Sequence, residues 1–235
     1  NIGVIKMEVC RNTEPNISFL KKVRKLASKN NIVLIFDECT TGFRGNFGGL
    51  HKKINVNPDI CIFGKTLGNG YAITSIIGKK EIMEHANNSF ISSTFWTERI
   101  GPSAALKTLE VMQKTKSWEI ITQKGKNIQQ KWLEIAASNN LQINISGIPA
   151  LSEFNFNSKS NLKYKTLISQ EMLKDGILAS NKIYVCTEHK EKILNLYYDK
   201  LNNIFNKISH CESGRLNIDE LLLGETCHSG FRRLI

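Results

Sequence analysis

The stretch Asp59-Ile-Cys-Ile-Phe-Gly-Lys-Thr-Leu-Gly-Asn-Gly70 constrains the fold more than any other. It opens with a short apolar run, Ile60 to Phe63, set between Pro58 and Gly64. Such a run predicts a strand buried on both faces. It ends in Gly64-Lys65, followed by a Gly-rich turn. The upstream segment Asn31-Ile-Val-Leu-Ile-Phe-Asp-Glu38 has the same grammar, with an apolar run from Ile32 to Phe36 that delivers Asp37 at its end. Open α/β sheets place their ligands outside the carboxyl ends of their strands. The two segments therefore predict one crevice that holds an amine and a carboxylate.

A lysine desolvated in such a crevice has a lowered pKa and acts as a nucleophile or forms a Schiff base. An aspartate there holds a protonated heterocyclic nitrogen by a charge-assisted hydrogen bond. Pyridoxal phosphate (PLP) chemistry needs this pair, an amine to carry the cofactor and move protons and a carboxylate to keep the pyridine nitrogen protonated. Strand-end Asp and Lys also serve as solvated loop residues, and spacing alone leaves both readings open.

Three segments carry a family resemblance. Phe36-Asp-Glu-Cys-Thr-Thr-Gly-Phe-Arg44 and Pro58 to Gly70 resemble the signature segments of class III aminotransferases, and Ser93-Thr-Phe-Trp-Thr-Glu-Arg-Ile-Gly-Pro-Ser-Ala-Ala-Leu-Lys-Thr-Leu-Glu110 resembles a third. The branch most similar is that of the glutamate-1-semialdehyde aminomutase-like enzymes. The likeness is specific over residues 1–112 and looser beyond. It implies an α/β chain of PLP-dependent transferase fold type I, comprising part of a large domain with a mostly parallel sheet and a smaller α+β C-terminal domain. It further implies an aminotransferase or aminomutase acting through a Lys65 Schiff base, with PLP held by Asp37, Cys39, Lys65 and Thr94. Thr94 would reach the phosphate on a neighbouring subunit, so the resemblance implies a homodimer with a shared active site. Glu8, Thr40 and Arg44 are candidates near substrate. Glu8 matches a strand-end acid of the family, but the proline usual after it is replaced in Glu8-Val9-Cys10. Thr40 stands where some relatives carry glutamine or methionine. Arg44 can steer a carboxylate or form a structural ion pair.

The formal net charge of +11 raises the question of nucleic acid. The basic residues are scattered among Asn and Ile without interleaved aromatics, so no nucleic-acid partner is expected. Six cysteines without a C-x-x-C pair argue for reduced thiols in a cytoplasmic protein, not a disulfide frame or zinc site. No apolar run approaches about 18 residues, so no membrane partner is expected. The first residues, Asn1-Ile-Gly-Val-Ile, read as the middle of a strand and suggest a fragment. The family's phosphate loop and ring-stacking aromatic are not found. The alternative readings are an inactive fragment of such an enzyme and, on charge alone, a basic nucleic-acid-binding protein.

Periodicity predicts strands at 2–9, 31–36, 60–63 and 72–78. Helices are expected over 16–30, 79–85 and 100–112. In the first of them Phe19, Leu20, Val23, Leu26 and Ala27 form the apolar face. The texture changes near residue 113, which sets domains at 1–112 and 113–235. The second carries helices at 117–138, 163–175 and 188–209, and strands at 141–145, 151–156 and 182–186. Cys211 to Glu225 reads as irregular, and the ending Cys227 to Leu234 resembles that of the family. His85 and His228 receive no role.

Overall fold

The computed structural model describes residues 2–10, 13, 16–95 and 97–230. Trp96, in the third signature segment, and residues 231–234 of the family-like ending lie outside the described residues. The chain forms two compact units, Asn1–Thr122 and Gln123–Ile235.

The first unit opens with β1 (Val4–Glu8), α1 (Ile17–Lys29) and β2 (Val33–Asp37). The strands are parallel, as a connection through a helix requires. Asn16 caps α1 by accepting the Phe19 N–H. Leu20 and Ala27 bury the centre of the helix stripe, while Phe19 and Leu26 remain more than half exposed. Each lies one position before a buried residue, about 100° round the helix. The apolar face is thus narrower than the pattern predicts.

A loop and α2 (Leu50–Ile54) lead to β3 (Ile60–Phe63), parallel to β2. β4 (Ser75–Gly78) follows antiparallel, giving the order β1-β2-β3-β4. β3 departs from the expectation of burial on both faces. Cys61 and Phe63 are buried, whereas Ile60 and Ile62 are half-buried, and β2 alternates in the same way. One face of this sheet is covered and the other only partly. α3 (Lys80–Met83), α4 (Ile100–Thr115) and the start of α5 (Ser117–Ser138) complete the unit.

The second unit is an antiparallel sheet, β5 (Ile143–Ser146), β6 (Leu151–Phe156) and β7 (Lys182–Tyr184), with α6 (Asn161–Lys174), α7 (Glu191–Glu212) and α8 (Ile218–Leu221). Phe154 and Phe156 on β6 meet Trp132, Tyr164 and Phe205 in edge-to-face contacts. The buried Trp132 indole donates to the Tyr197 hydroxyl at 2.9 Å, so this polar pair is satisfied within the core. Gly176 follows α6 with φ 74°, the left-handed position at which a helix ends without a Cβ clash. The segment from Cys211 is less irregular than predicted. α7 reaches Glu212, and α8 forms because Asn217 caps it and Ile218 is buried. No helix among the described residues is long and apolar enough to cross a membrane.

Asp59 ties the first unit together at the start of β3. It accepts from the Leu34 N–H, the Arg24 guanidinium and the Lys79 ammonium, each at 2.8 Å. Burial pushes its pKa up, but the Leu34 amide, Lys79 and Arg24 outweigh that and hold it below the ordinary value. A depressed carboxyl pKa adds stability above the unfolded value, about 3.9, and that stability fades as pH falls through the folded value. Asp59→Asn should cost roughly 2–3 kcal/mol near neutrality, the cost of a broken buried pair discounted for the exposure of Lys79. Urea unfolding should show the gap between wild type and variant closing below about pH 4.

Candidate active site

Two parallel strands end side by side and define the site. The register pairs Asp37 with Ile62, and the Glu38 N–H donates to the Ile62 carbonyl at 2.9 Å. Asp37 and Lys65 therefore leave adjoining strands at the same edge of the sheet. The Asp37 carboxylate accepts from Lys6 Nζ at 2.8 Å and from the Cys39 N–H at 3.2 Å. The Lys6 hydrogen bond holds the Asp37 pKa below the usual value against the opposing effect of burial. Reciprocally, that hydrogen bond and the charge of Asp37 raise the pKa of Lys6.

Lys65 has φ 45°, a left-handed conformation for a residue with a Cβ. Such backbone strain concentrates at functional positions. Its Nζ donates to Thr40 Oγ1. The side chain is exposed among the described residues, not desolvated as the sequence predicts. The charges of Asp37, Lys65 and Lys6 all act on Cys39. Burial pushes its thiol pKa up, Asp37 pushes the same way, and Lys65 and Lys6 oppose them. Gly64 allows this approach, since a Cβ there would come within 3.3 Å of Cys39 Sγ and 3.2 Å of Thr74 Cγ2. The Thr66 hydroxyl is buried without a partner beside Lys65. An open depression of about 560 Å³ is lined by Lys65, Gly70, Tyr71, Ala72, Ile73 and Thr74.

Other predicted residues divide into near and remote. Glu8 ends β1 opposite Asp37 in the register, and its charge acts on Lys6. Arg44 Nε donates to the Thr40 carbonyl at 3.0 Å, bracing the loop that presents Thr40 to Lys65. Thr94 is exposed and makes no side-chain hydrogen bond among the described residues. His85 and His228 are exposed.

Sequence reasoning missed two residues. Lys6 stands two positions before Glu8, hence on the same face of a strand neighbouring β2. A lysine within Val4-Ile-Lys-Met-Glu8 was the available signal. Glu38 was read only as the residue after Asp37. It is fully buried and accepts from the Leu50 and His51 amides, the His51 ring and the Thr41 hydroxyl. No local pattern announces that role, because most of its partners lie more than ten residues away.

The fold and this edge define an α/β chain with an amine and a carboxylate at the ends of adjoining parallel strands. The chain belongs to the class III aminotransferase family, whose model matches residues 12–194. It is 31% identical over 186 residues to 3-aminobutyryl-CoA aminotransferase of Cloacimonas acidaminovorans, covering 77% of this chain and 45% of that protein. It is 28% identical over 225 residues to glutamate-1-semialdehyde 2,1-aminomutase of Sulfurisphaera tokodaii, covering 88% and 52%. The chain thus spans about half the length of the curated relatives it matches. Among solved structures, the PLP internal aldimine form of the Sphingopyxis sp. MTA144 FumI protein superposes with a TM-score of 0.86 at 17% identity, over 94% of this chain and 56% of that one. An omega-transaminase from Sphaerobacter thermophilus gives 0.75 at 16%, over 84% and 49%. These likenesses identify the α/β fold as that of the PLP-dependent transaminases, fold type I.

Lys6→Met should let the Asp37 pKa rise, because its largest depressing interaction is removed and burial remains. Carboxyl chemical shifts followed through an acid titration measure this. An unmoved Asp37 midpoint would mean that Lys6 does not set its charge.

Proposed function

We propose that this chain supplies the lysine and aspartate of a PLP-dependent aminotransferase or aminomutase, with Lys65 as the catalytic residue. The observation that carries the reading is that Asp37 and Lys65 leave adjoining parallel strands at the same end of the sheet, with Lys65 Nζ held by the Thr40 hydroxyl. The residues fit the cofactor. Asp37 stays ionised and retains acceptor capacity beyond Lys6, because a carboxylate offers about four lone-pair sites. Gly64 leaves room at the strand exit, and the Thr66 hydroxyl is an unspent donor beside it.

When bound, PLP supplies an aldehyde that condenses with amines and a protonated ring that accepts electrons from the substrate carbon. Lys65 Nζ is the amine that would hold the cofactor and, once released, would move a proton at the substrate carbon. Thr40 Oγ1 steadies Nζ between these positions. Asp37 would accept from the ring nitrogen and keep it protonated, and Cys39 would supply an apolar contact to the ring. Glu8 and Arg44 stand near the substrate side, with Arg44 acting mainly through the Thr40 loop.

The substrate is an amino acid, amino aldehyde or related amine; the relatives' names give an amino aldehyde in one case and an aminoacyl-CoA thioester in the other. Residues 1–112 belong to the cofactor domain and 113–235 to the smaller one. We also assign a homodimer in which Thr94 serves the neighbouring subunit's phosphate. The apolar side chains exposed beside it, Phe90, Ile91 and Phe95, support a covered surface there. The six free cysteines are consistent with a cytoplasmic setting.

Borohydride reduction in the presence of PLP should fix a pyridoxyl group on Lys65, located by peptide mapping. Lys65→Ala should lose that adduct and lower turnover by about 10²–10⁴-fold, the contribution of a positioned acid–base group. An adduct of equal yield in Lys65→Ala, or no saturable PLP binding by the wild-type chain, would overturn the assignment.

A further inference from the structure

A second cluster lies behind the strand ends and has no part in the proposed reaction. Glu38 follows β2, His51 sits in α2 and Cys61 lies in β3. Glu38 Oε1 is 2.6 Å from His51 Nδ1, and Cys61 Sγ is 3.4 Å from the same nitrogen. One ligand atom from each lies within 4.8 Å of the others. Glu38 is fully buried, Cys61 is 5% exposed, and the His51 side chain is 13% exposed.

We propose that Glu38 Oε1, His51 Nδ1 and Cys61 Sγ form a site for a thiophilic divalent cation of the Zn²⁺ type. Three features support it. First, the donor set is mixed carboxylate, imidazole and thiol, which suits zinc more than a hard cation such as Mg²⁺ or Ca²⁺. Second, the spacing is near that of a tetrahedral centre. Zinc bond lengths of about 2.0–2.3 Å place neighbouring ligand atoms roughly 3.3–3.7 Å apart. The N···S distance already fits, and the N···O distance must open by less than about 1 Å. Third, charge balances, since one carboxylate and one thiolate neutralise a dication in a buried site. Water fills the fourth position.

The protons are accounted for. Cys61 Sγ–H loses its proton to solvent as the S–metal bond forms. The neutral His51 ring, which donates Nδ1–H to Glu38 in the metal-free site, shifts its single N–H to Nε2 and gives the Nδ1 lone pair to the metal. Affinity rises with pH, because the cation competes with the thiol proton. The remaining Glu38 oxygen retains the Leu50 amide and the Thr41 hydroxyl. A bound cation would therefore tie the loop after Asp37 to β3, the strand that leads to Lys65.

The reduced, chelator-stripped full chain should be titrated with Co²⁺ without PLP, following the cobalt–thiolate charge-transfer absorption. The expected result is saturation at about one equivalent, displacement by Zn²⁺, and release of about one proton per cation. Cys61→Ser should abolish the band, His51→Gln should weaken binding about tenfold or more, and Cys186→Ser should change neither. No thiolate band in wild type, a band that survives Cys61→Ser, or one lost in Cys186→Ser would overturn the site. Should Cys61→Ser fail to fold, wild-type titration without proton release overturns it equally. None of these readouts depends on Lys65, so failure here leaves the proposed function standing.

Discussion

The register of β2 against β3 is the constraint on which the first unit depends. Ile35 faces Ile60, Phe36 faces Cys61 and Asp37 faces Ile62. A slip of one residue would turn every side chain to the opposite face of the sheet and part Asp37 from Lys65. Two buried carboxylates guard this register from its two ends. Asp59 holds the Leu34 amide where the strands begin, and Glu38 holds the Leu50 and His51 amides where they finish. Each is expensive to bury alone and each has its hydrogen bonds satisfied, which makes the alignment specific.

The charges at the strand exit are arranged with some economy. Asp37 is paired with Lys6 from β1, so its carboxylate is kept ionised by a neighbour that is itself mostly in solvent. Lys65 is paired with the Thr40 hydroxyl and not with a carboxylate among the described residues. Exchanging these two arrangements would give a salt-bridged lysine and an unsupported aspartate, a poor basis for amine chemistry. The strained φ of Lys65 and the close approach of Cys39 to Gly64 are consistent with a tightly defined local geometry.

Much of the fold was legible because periodicity and punctuation agreed. Apolar runs bounded by Pro, Gly and Asn marked β2 and β3. The misreadings have one physical source. Burial on both faces of β3, the width of the α1 face and the desolvation of Lys65 each depend on what lies against a surface, and a run of residues does not encode its cover. The cysteines show the same limit. Spacing rules detect metal ligands that are close in sequence, whereas Glu38, His51 and Cys61 come from three separate elements. The helical end of α7 and α8 were missed because Gly214, Gly224 and the charged residues between them masked a single capping residue and one buried isoleucine.

The sequence by itself determined which family the chain belongs to and where β2 and β3 end, because both are written in short local segments. It placed Asp37 and Lys65 at strand exits, and the signature segments around them marked the family. Tertiary structure alone decided what those groups touch. That Lys6 neutralises Asp37, that Thr40 receives the Lys65 amine, and that Glu38, His51 and Cys61 converge are outcomes of strand order and register. Such contacts join residues separated by ten to thirty-one positions, and only the closed sheet brings them within bonding distance.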